Sequence, residues 1–161
     1  LGEEKFNNAL KNYIQKAKFR GTPYTTSVEM TDHIRNATPD SLKYLIHDLF
    51  ETVTFYDNRI MKSETAQQSK NEYEIRLSFE VKKYKKSGDG NINSPLPPDD
   101  LIQIGFYNDS SDEIPFEYKW LRVIQKENHI KFVLDYKPEK IILDPNFLII
   151  DKNRKDNILQ F

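Results

Sequence analysis

The hydrophobic period of this chain changes once, near residue 55, and that change limits the folds open to it. Before it, Phe6, Ala9, Leu10, Tyr13, Ile14 and Ala17 recur at helical spacing and form one apolar stripe over residues 3–19. After it, Tyr73, Ile75, Leu77, Phe79 and Val81 alternate with Glu72, Glu74, Arg76, Ser78, Glu80 and Lys82. That alternation is the period of a strand with one dry and one wet face. Helices gathered first and strands gathered after predict an α+β chain, with a helical lobe over 1–54 and a β-sandwich over 55–161.

Local signals divide the helical part into three. Glu3 and Glu4 favour the positive end of the first helix dipole, and Gly21 and Pro23 end it. Thr26 and Glu29 have the spacing of a capping box for a second helix, with Met30, Ile34 and Ala37 inward. Thr38 as N-cap and Pro39 at the first position start a third, whose apolar face is Leu42, Leu45, Ile46, Leu49 and Phe50. Tyr13, Tyr24, Tyr44 and Tyr56 are expected to pack this lobe.

The strand region is punctuated by turns. A strand is expected over 56–65, then a turn over 67–71. Another turn falls at Ser87-Gly88-Asp89-Gly90-Asn91, followed by a proline loop over 94–100. Alternating runs at Ile102, Ile104, Phe106, at Phe116, Tyr118, Trp120 and at Ile130, Phe132, Leu134 follow, then short runs over 140–143 and 147–150. About seven short strands separated by turns suggest an immunoglobulin-like sandwich with Trp120 in its core. Only about five residues separate Phe50 from Phe55, which predicts that Phe50, Phe55 and Tyr56 pack at a junction between lobe and sandwich.

Composition removes several kinds of chemistry. Twenty-four basic residues against 25 acidic ones give no basic excess for nucleic acid, so no nucleic-acid partner is expected. The chain has no Cys, which removes thiol nucleophiles, disulfides and Cys-ligated zinc. No apolar run approaches the roughly 20 residues of a membrane helix, so no direct membrane insertion is expected. The start at Leu1 without Met, and without a leader pattern, leads us to expect a piece of a longer protein.

Candidate chemistry is sparse. His33, His47 and His129 make no HExxH pair; the first two read as polar-face helix residues and the third as part of a hairpin turn with Glu127 and Asn128. No G-x-S-x-G elbow occurs, and Gly88-Asp89-Gly90 is a turn without a following helix. Asp99-Asp100 and Asp112-Glu113 read as solvated loop charge. Lys82, Lys83, Lys85 and Lys86 read as a solvated edge that discourages strand pairing. The 151–157 segment offers Asp151, Asn153 and Asp156 as a calcium candidate, but lacks the Gly and the spaced Glu of an EF-hand loop. Asx turns are the alternative reading of the same residues. No catalytic residue and no firm metal ligand is assigned.

The segments Ala9-Leu10-Lys11-Asn12-Tyr13-Ile14 to Phe19, Pro23-Tyr24-Thr25-Thr26, and Asp40-Ser41-Leu42 to Asp48-Leu49-Phe50 resemble the end of the catalytic domain in gluzincin aminopeptidases, peptidase family M-one. Thr54-Phe55-Tyr56-Asp57-Asn58-Arg59 and the stretches Lys137-Pro138-Glu139-Lys140, Leu143-Asp144-Pro145 and Ile150-Asp151-Lys152-Asn153 extend the resemblance. They are similar to bacterial members whose peptidase unit is fused to an ABC-type transporter permease. One departure is Leu49, where the family usually carries Trp.

The resemblance implies a C-terminal, non-catalytic part of a zinc aminopeptidase that walls and buttresses the peptidase cleft. The zinc motif, its downstream Glu and the transition-state Tyr would lie upstream, so the parent and not this part would hold zinc and act on peptides. The partner implied is the upstream part of the same parent chain, and membrane association would come through that parent. Three alternatives stand beside this: a protein- or glycan-binding sandwich, a scaffold in a transporter-associated parent that has lost zinc, and an independent hydrolase.

Overall fold

The computed structural model describes residues 2–86, 90–92 and 95–161. The first three residues of the expected turn at Ser87 and the start of the proline loop at Ser94 lie outside the described residues. The chain is α+β: helices come first and antiparallel sheets after. It divides into two compact units, Leu1–Val53 and Thr54–Phe161.

In the first unit α1 (Glu3–Ala17) packs on α2 (Ser27–Ala37). α1 ends two residues earlier than its stripe predicts, because Lys18 turns extended and Phe19 adopts a left-handed φ of 59°. Thr26 caps α2 as its spacing predicts, accepting the Glu29 N–H at 3.4 Å. The return half of the box is not made. The Glu29 carboxylate instead accepts from Thr25 Oγ1 at 2.8 Å and pairs with Arg20 at 3.0 Å. Thr38 does not cap a third helix either; its hydroxyl donates back to the Ile34 carbonyl at 2.7 Å and finishes α2.

The third helix is broken into pieces: a 3-10 turn over Asp40–Leu42, α3 (Lys43–Ile46) and a π turn over His47–Glu51. A π turn spends an extra residue per turn and shifts the face that follows. Asp48 is buried, while Leu49 and Phe50, expected inward, are exposed. Of the tyrosines assigned to this lobe, Tyr13 is half-buried against Thr25 and His33, but Tyr24 is 74% exposed and Tyr56 belongs to the core of the second unit.

Among the described residues nine strands follow, the first beginning at the last residue of the first unit: β1 (Val53–Tyr56), β2 (Arg59–Ser69), β3 (Glu72–Glu80), β4 (Lys83–Lys86), β5 (Asp100–Tyr107), β6 (Glu117–Val123), β7 (Glu127–Leu134), β8 (Lys140–Leu143) and β9 (Ile158–Gln160). They form a β1-β4 pair, a β2-β3-β7 sheet and a β6-β5-β8-β9 sheet. β2 runs to Ser69, into the expected turn, so that the reversal into β3 is only Lys70 and Asn71. The dry face of β3 is realised as read: Ile75, Leu77 and Phe79 are buried and join Val81, Ile102, Ile104, Phe106, Ile141 and Leu143 in one core shared by the two larger sheets, but Glu74 and Glu80 of the expected wet face are buried as well. Phe106 of β5 meets Phe132 of β7 edge-to-face at 5.1 Å, bridging those sheets.

Two strand expectations fail. Trp120 is not in the core; it is 56% exposed. Register explains this, because Trp120 pairs with Gln103 and Tyr118 with Gly105, on the outer face, while Leu121 pairs with core Ile102. The 147–150 run is not a strand. The buried Asp144 carboxylate accepts the N–H groups of Leu148 at 2.8 Å and Ile149 at 3.2 Å, removing them from any ladder. Arg154 locks this loop, reaching the Asp144 carboxylate and carbonyl and covering the Phe147 ring at 3.6 Å.

Candidate functional site

Three arrangements in the second unit gather polar or aromatic chemistry. The first lies where β1 ends. Tyr56 donates its N–H to the Ile150 carbonyl at 2.7 Å, and Lys152 donates to the Tyr56 carbonyl at 2.9 Å. This short parallel pairing carries Asp57 and Asn58 against the 151–157 turn. The Asn58 N–H donates to Asp151 Oδ2 at 3.0 Å, and the Asn153 N–H donates to Asp151 Oδ1 at 2.9 Å. The Asn153 side chain then donates to Asp156 Oδ2 at 2.8 Å. The three residues named as a calcium candidate, Asp151, Asn153 and Asp156, are therefore bonded to one another, partly through an Asx turn.

Residues outside that candidate set complete the cluster. Asn58 and Asn157 are 0% exposed, and neither atom of either amide has a hydrogen-bond partner; Asp156 Oδ1 is also buried and unpartnered. Burial pushes the Asp156 carboxyl above its ordinary range, and the negative charges of Asp151 and Asp57 push it further. Among the described residues no three His, Asp or Glu side chains gather closely enough to hold a metal by themselves.

The second arrangement covers the outer face of β3. Glu80 is 6% exposed and receives Arg59 at 2.8 Å, Lys82 at 2.9 Å and Lys126 at 2.8 Å. Burial raises its pKa, but hydrogen bonds from Lys126 and Lys82 and the charges of Lys82 and Arg59 outweigh that and hold it at about 2. Glu74 is paired likewise with Lys131 at 2.6 Å and Arg76 at 2.7 Å, and is also held below the usual range. Between them Ser78 meets His129 Nδ1 at 2.8 Å, over a shallow depression of about 330 Å³ lined by Lys62, Glu64, Arg76 and Lys131. His129 thus stands on β7 and not in a turn.

The third arrangement is the outer face of the β6-β5-β8-β9 sheet, where Tyr118 and Trp120 are exposed. Asn146 joins them, accepting from the Tyr118 hydroxyl at 3.4 Å and donating to Gln103 at 2.7 Å. Beside Gly105 the rings of Pro115 and Pro145 close in so tightly that a Cβ there would stand 2.8 Å from the first and 3.0 Å from the second.

The remaining candidates have structural places. Lys83 is buried rather than solvated and pairs at 2.8 Å with Asp100, which is buried at the start of β5 instead of standing as loop charge. Asp112 and Glu113 are exposed. His33 lies against Tyr13, and His47 pairs with Glu51 at 3.0 Å. Of the residues expected at the junction, Phe50 is exposed in the first unit. Phe55 stacks on Tyr84 at 5.3 Å under Lys152, and Tyr56 sits in the sheet core. No helix among the described residues is long and apolar enough to cross a membrane. Compared with known proteins, the sequence matches no family model and no curated protein.

Proposed function

We propose that this chain is a structural, non-catalytic part of a zinc-aminopeptidase-like protein, its helices walling the peptidase cleft and an immunoglobulin-like sandwich buttressing them. The observation that carries this reading is the surface of the helical unit. Ala9, Ile34 and Ile46 are its only buried hydrophobic residues among those described, while Phe19, Val28 and Leu49 stand from 64% to fully exposed. Large apolar side chains left in water on so small a unit support a covering partner. The occupant we assign is the upstream part of the parent chain, to which the resemblance joins these helices. Zinc and peptide substrate belong to that upstream part in this reading. The carboxylates of the sheet unit support a structural role, because Glu74 and Glu80 are locked in the charged form by cations and are poorly suited to carry protons near neutral pH.

The test is hydrolysis of aminoacyl nitroanilides by the purified chain, with and without added zinc. We expect no turnover above buffer; turnover that survives repurification overturns the proposal.

A second reading, a binding module, is favoured by the exposed Tyr118 and Trp120 beside Asn146, an aromatic face with amide groups of the kind that stacks on sugar rings. Titration with a panel of soluble oligosaccharides while following Trp120 fluorescence tests it. Saturable quenching lost in Tyr118→Ala, which keeps the Trp120 probe, supports this reading, and no change across the panel removes it.

A further inference from the structure

We propose that the Asp57-Asn58 corner and the 151–157 turn together bind a calcium ion. Three observations converge on it. First, Asn58 and Asn157 are wholly buried and their side-chain oxygens accept from nothing; Asp156 Oδ1 is in the same state. Buried polar atoms in folded proteins are almost always satisfied, so this group points to something that sits among them. Second, the charge is one-sided. Asp151 and Asp156 both bond Asn153, and Asp57 adjoins Asn58, whose N–H bonds Asp151. The three basic side chains of the same turn are directed elsewhere: Lys152 over the rings of Phe55 and Tyr84, Arg154 onto Asp144 and Phe147, and Lys155 into the depression lined by Tyr107 and Asp112. Third, the atoms here that can hold a cation are all oxygen, beside the Asn58 and Asn157 amide nitrogens that are equally unpartnered. Asp151 spends one lone pair of each carboxylate oxygen on a backbone N–H and keeps the others.

This donor set selects among cations. The carboxylates alone do not make a metal site, so amide oxygens must complete it. Calcium takes six to eight oxygens in irregular geometry, amide and backbone carbonyls included, whereas magnesium demands a near-ideal octahedron and keeps its waters. Zinc prefers nitrogen and sulfur, which this corner lacks. Few carboxylates and several neutral oxygens imply modest affinity, about 10⁻⁴–10⁻³ M, in the class of extracellular modules. The rival occupant is ordered water, which would satisfy the amide nitrogens as well as the oxygens.

The experiment uses the full chain stripped with chelator, then titrated with calcium or magnesium at constant ionic strength. The readouts are the melting temperature and aromatic-sensitised terbium luminescence, for which Tyr56 lies next to the site. We expect calcium at about 100 times its dissociation constant to raise the melting temperature by roughly 10 °C, magnesium to do less, and calcium to displace terbium. Asp156→Asn keeps an amide oxygen to accept from Asn153, so it should weaken calcium binding at least tenfold while leaving the calcium-free protein folded. Asp57→Asn should weaken binding likewise and serves if the first variant misfolds. A wild type indifferent to calcium in both readouts, or an Asp156→Asn protein that responds equally, overturns the proposal and assigns the corner to water.

Discussion

Removing the negative charge of Glu80 should cost stability in a way that disappears in acid. Glu80 is nearly buried on the outer face of β3 beneath Arg59, Lys82 and Lys126, and its pKa is held at about 2 against 4.5. At about 1.4 kcal/mol per pKa unit, that difference amounts to roughly 3 kcal/mol of preference for the charged form in the fold. The three cations are themselves partly in water and regain hydration when released, so the expected loss in Glu80→Gln is about 1–3 kcal/mol at pH 7. The sign follows from linkage. A carboxyl whose folded pKa is depressed stabilises the fold above its unfolded pKa and loses that contribution as pH falls toward its folded value. The gap between wild type and Glu80→Gln should therefore be full above about pH 5 and should shrink between pH 4.5 and 2. Urea denaturation of both proteins at pH 7 and pH 3 measures it. An equal gap at both pH values would show that the substituted amide is merely a packing defect and refute the ion-pair account.

Four other perturbations test separate parts of the structure. Gly105→Ala forces a Cβ onto the rings of Pro115 and Pro145 and should lower stability by about 1–3 kcal/mol, seen as a lower urea midpoint with unchanged slope. Phe106→Ala, at the centre of the shared core, should cost about 3–5 kcal/mol. Phe55→Ala, half-buried and stacked on Tyr84, should cost only about 1–2 kcal/mol; a loss as large as that of Phe106→Ala would place Phe55 in a core it does not occupy here. Finally, the chain should bind an apolar fluorescent dye while folded, and Phe19→Ser with Val28→Ser should reduce the dye signal without lowering the melting temperature.

What could be read from the sequence was what local chemistry decides. The alternation of β3 follows from backbone geometry alone, and it placed Ile75, Leu77 and Phe79 in the core correctly. The Thr26 cap was legible because a cap is decided within one turn. The phase of β6 was not. Both of its faces carry large apolar residues, Tyr118 and Trp120 on one and Leu121 and Val123 on the other, and only pairing with β5 decides which goes inward. The 147–150 run has the composition of a strand, and what prevents one is the Asp144 carboxylate, which takes the N–H groups a ladder would need. The oxygen cluster was half legible. Asp151, Asn153 and Asp156 are neighbours in sequence, but Asn58 reaches Asp151 from 93 residues away. The repeated Asp-Asn pair at 57–58 and 156–157 is the only trace of that meeting, and no spacing rule links two such pairs.

We propose that the upstream part of a parent chain covers the helical unit. The direct measurement is sedimentation of the purified chain with that upstream part, expressed separately. The account predicts a one-to-one complex that is lost when Phe19, Val28 and Leu49 are changed to serine, with the melting temperature of the isolated chain unchanged. Two species that sediment independently at all concentrations, or a complex indifferent to those three substitutions, would contradict it.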